Sequence, residues 1–212
     1  MKREKVSDAV VRRLPKYYRC LKEMEESGKA RVSSNEISKI LNVTASQVRQ
    51  DFANFGEFGQ QGYGYDVCFL KEQIQNVLGL NREYRMIIVG GGHIGTALAS
   101  YLGFVREGFK VLAVFDIAPE KVHVPEGIAV LHVDELARFS EEHEVDIAVI
   151  ATPRNCANEV ANAVVDAGIS AIWNFAPCDL TCGKDVAVEN INMSESLFLL
   201  SYKSNLSREE LE

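Results

Sequence analysis

The residues with the most chemistry to offer are a run of glycines and one acid. Met86-Ile87-Ile88-Val89 reads as a fully apolar strand, and Gly90-Gly91-Gly92-His93-Ile94-Gly95 follows it at once, opening a helical run at Thr96. A GxGxxG in that setting has a physical logic. Gly90 permits the tight turn, Gly92 lets the backbone approach a pyrophosphate at the positive end of the helix, and Gly95 lets helix and strand pack closely. The next apolar strand, 111–115, ends in Asp116, 21 residues beyond Gly95. From there a carboxylate takes a ribose 2′-hydroxyl, and its negative charge, with Ile117 rather than an arginine beside it, favours NAD over NADP.

A second constellation lies nearer the front. Ser33-Ser34-Asn35-Glu36 is a capping box that opens a short helix with Ile37, Ile40 and Leu41 inward, and Asn42-Val43 makes a tight turn. Thr44 then caps a helix in which Ala45, Val48, Phe52 and Phe55 share one face, while Ser46, Gln47, Arg49 and Gln50 point the other way or along its flanks. Two short helices joined by a tight turn make a helix-turn-helix. Arginine donates bidentately to guanine, glutamine pairs with adenine, and Ser46 at a helix start suits phosphate. The glycine-punctuated stretch 56–65 reads as a hairpin wing, with Gln60, Gln61 and Tyr63 at or near its tip. Phe52, Phe55 and Phe58 are expected in the core rather than as a stacking platform.

Other reactive side chains form no constellation. Cys20, Cys68, Cys156, Cys178 and Cys182 are odd in number and contain no CxxC, and the four histidines stand singly, so no metal site is expected. Cys178 and Cys182 are spaced for a redox pair at most. Free thiols suit a reducing cytoplasm.

Charge divides the chain. Residues 1–85 carry 15 Lys and Arg against 11 Asp and Glu, whereas residues 86–212 carry 8 against 19. Eight of the cations lie in residues 1–22, among them Arg13 and Lys16, a split that suits a front facing a polyanion and equally a solvated helix face until the helix-turn-helix pattern is added. Val10, Leu14, Tyr17, Leu21 and Met24 recur as a helical stripe, with Pro15 marking a kink or a start. Beyond residue 85 the grammar is strand and helix in alternation, with strands expected at 86–89, 111–115, 128–131, 146–151, 171–175 and 186–191. The expected fold is α/β: a winged helix-turn-helix at 1–80, a doubly wound parallel sheet of Rossmann type at 81–192, and a C-terminal helix at 193–212. Ligands in such sheets sit beyond the strand carboxyl ends, which adds Ala151, Thr152, Pro153, Asn174, Phe175, Ala176 and Pro177 as lining candidates, although the prolines also serve simply to end strands. Tyr101 on the first helix is placed to lie over a nicotinamide or to pack.

The sheet uses nearly all of 86–191, leaving no substrate domain, and no histidine has a catalytic partner in view. The nucleotide is therefore read rather than reacted. The tail at 194–202 is too apolar for a solvated terminus and needs a partner surface; palindromic operators want two-fold proteins, so a dimer contact is expected there. No stretch is long and apolar enough for a membrane helix. Two other readings are a small NAD-dependent oxidoreductase with an accessory helix-turn-helix and a CoA- or nucleotide-binding module with a protein-binding front.

The whole chain resembles the Rex family of redox-sensing transcriptional repressors. The resemblance rests on Arg13-Leu14-Pro15-Lys16-Tyr17-Tyr18-Arg19, Ala45-Ser46-Gln47-Val48-Arg49-Gln50-Asp51-Phe52, Phe55-Gly56-Glu57-Phe58-Gly59, Gly62-Tyr63-Gly64-Tyr65, the glycine loop, and Asn174-Phe175-Ala176-Pro177. It implies a cytoplasmic homodimer on double-stranded palindromic operator DNA, NAD(H) as a regulatory ligand, and a swapped C-terminal helix wedged between domains. It also implies repression relieved when NADH rises relative to NAD+. Many members have Arg-Lys-Asp where this chain has Arg49-Gln50-Asp51, and a basic wing tip where it has Gln60-Gln61, which lowers the salt-dependent part of DNA affinity. Some carry an acid near Asn192, able to pair with an arginine such as Arg19 or a tyrosine such as Tyr101; asparagine makes no salt bridge there.

Overall fold

A computed structural model describes residues 7–53, 59–60 and 64–209, with 59–60 and 207–209 as backbone only. The chain forms two compact units that meet at Arg82 and Glu83.

The first unit is helical with a small sheet. Pro15 starts a helix rather than kinking one: α1 (Asp8–Val11) ends before it, and α2 (Leu14–Glu26) begins with the proline in its first turn, where the missing N–H costs nothing. The whole apolar stripe is buried, with Leu14, Tyr17 and Leu21 almost without exposure. After β1 (Arg31–Val32), α3 (Ser34–Leu41) carries the complete capping box: Ser33 accepts from the Glu36 N–H, and the Glu36 side chain accepts from the Ser33 N–H. The ammonium of Lys29, bonded to Glu36 at 2.6 Å, does most to hold that carboxyl down at about 2. Ile40, expected inward, is exposed; Ile37 and Leu41, one turn apart, take the seam instead. Asn42 ends α3 in the left-handed region at φ 53°, a conformation asparagine tolerates, and the Thr44 hydroxyl caps α4 (Ala45–Ala53) by accepting from the Gln47 N–H. In the wing, β2 (Gly59–Gln60) and β3 (Gly64–Asp66) pair antiparallel, and β3 also pairs with β1. Phe55, Phe58, Gln61 and Tyr63 lie outside the described residues. Helix α5 (Val67–Leu78) is not anticipated by the motifs, although Asp66 caps it and Gly79 ends it at φ 75°. It packs Val67, Leu70 and Ile74 on the core of α2, Val48 and Phe52.

The second unit is a six-stranded parallel sheet: β4 (Tyr84–Val89), β5 (Phe109–Asp116), β6 (Ala129–His132), β7 (Ile147–Ile150), β8 (Ala171–Asn174) and β9 (Ala187–Asn190). Their spatial order is β6-β5-β4-β7-β8-β9, so chain direction across the sheet reverses at β4, which lies between β5 and β7. That reversal opens a crevice beyond the carboxyl ends of β4 and β7. Ile87, Val89, Phe115, Ala148 and Ile150 face α8 (Leu136–Glu142) and α9 (Ala157–Asp166). On the opposite face Ile88, Val114 and Val149 meet Ala99 of α6 (His93–Ala99), which short α7 (Gly103–Arg106) follows. Helix α10 (Met193–Glu209) closes the chain, and its Leu197, Phe198, Leu199, Leu200 and Tyr202 are all exposed.

Candidate functional site

The glycine loop joins β4 to α6 with no room to spare. A Cβ on Gly95 would lie 1.8 Å from the Gly90 carbonyl oxygen, and one on Gly90, whose φ is 107°, would lie 2.6 Å from that of Ala151. At Gly92 a Cβ would meet nothing within 4 Å, because this glycine faces open space at the start of α6. Asp116 braces the loop from the end of β5: its carboxylate accepts from the Gly91 N–H at 2.7 Å and the Ala118 N–H at 2.9 Å. A carboxylate has about four acceptor positions, so capacity remains for a diol.

Loop and acid border a cavity of about 940 Å3 beyond the strand ends. Gly90, Gly92, His93, Ile94, Asp116, Ile117, Thr152, Pro153 and Phe175 line it, as the sequence leads one to expect. The Thr152 hydroxyl oxygen is shut off from solvent and, like that of Ser140, has no hydrogen-bond partner among the described residues. Glycines that leave the backbone open at the start of α6 and an acid with spare acceptor capacity at the end of β5 together fit a dinucleotide.

Three expected lining residues stand elsewhere. Asn174 is fully buried and its amide is engaged within the protein, and Ala176 is buried beside it. Tyr101 borders a separate apolar groove of about 790 Å3, with Phe104 and Trp173. It sits beyond the end of α6, after a helix of only two turns, and turns to the Phe104 ring at 4.8 Å. Gly91 and Gly95 act through the loop's shape rather than its lining. Pro177, the last of the expected run 174–177, is also on the wall, whereas motif reading misses Val133, Asp134, Leu136 and Cys156, which come from segments without a signature.

In the first unit, Asp51 of α4 is wholly buried and accepts hydrogen bonds from Arg13, Tyr17 and Gln47. Arg13 Nε and Nη2 donate at 2.6 and 2.7 Å, the Tyr17 hydroxyl at 2.7 Å, and Gln47 Nε2 at 2.7 Å. Burial drives this carboxyl up, but those donors outweigh it and hold it below its ordinary value. Burial and the neighbouring carboxylate push the Tyr17 phenol up. Arg13, expected to face DNA, thus ties the start of α2 to α4 here, and Gln47, expected to do the same, braces the same carboxylate from within α4. Ser46, Arg49 and Gln50 remain exposed, with the Arg49 guanidinium bonded to the Ser34 hydroxyl at 3.1 Å. Ala53, which sequence reasoning passes over, completes their stripe at i, i+3, i+4 and i+7. Lys16 is exposed on α2, and Gln60 is described only as backbone.

The pattern of relatives agrees with these two sites. Residues 5–53 match the family model "Putative DNA-binding protein N-terminus" and residues 81–178 match "CoA binding domain". The redox-sensing transcriptional repressor Rex of Clostridioides difficile (strain 630) is 50% identical over 198 residues, which are 93% of this chain and 94% of that protein. The chain belongs to the Rex family. The Rex of Caldicellulosiruptor saccharolyticus is 47% identical over 96% of this chain and 94% of its own length. Among solved structures, a Rex-family repressor called RSP, in complex with β-NAD+ and operator DNA, superposes with a TM-score of 0.89 at 44% identity, over 98% of this chain and 95% of that one. RSP with β-NADH gives 0.87 at 39% identity, over 98% and 99%. These Rex relatives are named as repressors rather than enzymes. Among the described residues of this member, no group of acids, cysteines and histidines is placed to hold a metal, and no helix is long and apolar enough to cross a membrane.

Proposed function

We propose that this chain is a cytoplasmic repressor that binds NAD(H) in the cavity beyond the strand ends and releases a palindromic operator when NADH replaces NAD+. The observation that carries the reading is the cavity itself: Gly92 at its opening and Asp116, whose carboxylate has spare acceptor capacity, line one space together with Thr152, Pro153 and Phe175. Relatives at high identity over nearly the full chain support it, since RSP has been captured with β-NAD+ and operator DNA and also with β-NADH. Asp116 holds the ribose diol, the start of α6 faces the pyrophosphate, and Thr152, Pro153 and Phe175 flank the far end. The two nucleotide forms differ in charge and planarity at the nicotinamide. Differential contact at that end biases two arrangements of the protein, and only differential affinity can do so. The deciding experiment is fluorescence anisotropy of a labelled operator at fixed salt, titrated with NADH and separately with NAD+. Release by NADH at concentrations where NAD+ has no effect supports the reading; equal behaviour of the two defeats it.

Ser46, Arg49 and Gln50 are the proposed DNA-reading residues, with Lys16 and the wing on the phosphates. Arg49→Ala should weaken operator binding about 10- to 100-fold, the worth of one bidentate base contact, and leave NADH affinity unchanged. Anisotropy and NADH fluorescence read the two separately.

Helix α10 is the proposed dimer contact, swapped between subunits. Its four consecutive apolar residues, 197–200, point to all sides of one turn and are all exposed in the single chain, so that turn calls for a covering partner. Truncation after Asn192 should convert the dimer to monomer in multi-angle light scattering. A dimer that survives truncation would place the contact elsewhere.

A further inference from the structure

Asn174 is the last residue of β8, and its amide serves two neighbourhoods at once. Its Oδ1 accepts from the Ala176 N–H at 2.9 Å, and its Nδ2 donates to the Cys178 carbonyl at 2.7 Å. Those two bonds fold the segment 175–178, from which Phe175 and Pro177 reach the cavity wall. The same Nδ2 also donates to Asn190 Oδ1 at 2.8 Å, and the Asn174 carbonyl accepts from the Ile191 N–H at 2.8 Å. Asn190 ends the edge strand β9, and only Ile191 and Asn192 separate it from α10. Asn192 leaves little slack, because its side chain accepts from the Ser194 N–H at 3.1 Å in the first turn of α10.

We propose that Asn174, with Asn190 as its acceptor, is the positioning residue through which the state of the nucleotide cavity reaches the base of α10. The inference rests on the reading that the cavity binds NAD(H) and that α10 joins subunits. Its physical basis is the price of leaving a buried amide unpaired. Moving the Phe175–Pro177 wall while β9 stays still would break a bond of a side chain with no access to water, so wall and strand end shift together. Phe175 adds stiffness by packing edge-on against Trp173, with ring centroids 4.6 Å apart. Asn190 itself is exposed and touches neither proposed binding surface, so changing it tests the link without removing a binding group.

The test uses the full-length protein, NADH and a labelled operator duplex. The quantity read is the coupling factor, the ratio of operator Kd with saturating NADH to operator Kd without it. Asn190→Ala is expected to bind NADH and operator separately within about twofold of wild type, while the coupling factor falls at least about fivefold. Asn190→Asp keeps an acceptor for Asn174 Nδ2 and is expected to restore most of the factor. An Asn190→Ala chain whose coupling factor equals that of wild type overturns the proposal, as does one whose separate affinities fall while the factor stays the same. Wild-type operator binding that ignores NADH would instead sink the underlying reading, and the proposal with it.

Discussion

Replacing Asp116 with alanine will lower NADH affinity by about a hundredfold or more and leave operator binding in the absence of nucleotide nearly unchanged. Two charge-assisted hydrogen bonds to a ribose diol, each contributing about 1.5 kcal/mol or more, account for that factor. Part of the loss arises indirectly, because the same carboxylate accepts from the Gly91 and Ala118 N–H groups and so keeps the glycine loop in shape. Asp116→Asn separates the contributions: it retains an acceptor for the loop but offers the diol no charge, and should fall between wild type and alanine. Nucleotide titrations by NADH fluorescence and operator titrations by anisotropy give the two affinities independently. Loss of operator binding with normal nucleotide affinity would reverse the assignment of units to ligands.

Asp51→Ala is the second change with a large effect, on the stability of the first unit. Removing one partner of a buried ion pair costs about 3–5 kcal/mol. The lower end applies, since Arg13 keeps part of its side chain in water whereas Tyr17 loses its buried acceptor. About 3 kcal/mol corresponds to roughly a hundredfold faster hydrogen exchange at the amides of α2 and α4 in the full-length protein. The acid response follows from the same network. A carboxyl held below its ordinary value when folded contributes fully above the unfolded value, near 3.8, and its contribution fades as pH falls through the folded one. Asp51→Asn therefore removes part of the acid sensitivity, and its thermal midpoint should vary less than that of wild type between about pH 5 and pH 3. Arg13→Met distinguishes positioning from phosphate contact. If Arg13 acts through Asp51, operator affinity falls with the salt slope unchanged; a lost phosphate contact would reduce that slope by about 0.9.

What was legible in the sequence was local. The capping box at Ser33 and Glu36, the Thr44 cap, the stripe on α2 and the strand-loop-helix around Gly90 each arise within a few residues, and each stands as the pattern implies. All six strands of the parallel sheet lie where their apolar runs are. Helix α5 had its signals, an Asp66 cap, Val67, Leu70 and Ile74 at helical spacing, and Gly79 after it, but no motif drew attention to them. The role of Arg13 is not legible, because tertiary packing chooses the group it serves: it meets Asp51 across 38 residues of sequence. That of Gln47 has a local signal, Asp51 four residues on in the same helix, which the DNA-facing reading passes over. Asn174 was misplaced for a similar reason. A polar residue at a strand end is an equally good candidate for a ligand or for a buried bracket, and only the positions of Cys178 and Asn190 decide between them.

The buried carboxylate of α4 also limits how this repressor's operator preference can change. Of nine residues in the helix, Val48, Asp51 and Phe52 are committed to the interior and Gln47 is committed to Asp51. Ser46, Arg49, Gln50 and Ala53 form the stripe that α4 leaves exposed rather than committing to the interior. On the proposed assignment of Ser46, Arg49 and Gln50 to base reading, a new half-site is expected from rewriting that stripe, while the aspartate that holds the page flat stays as it is.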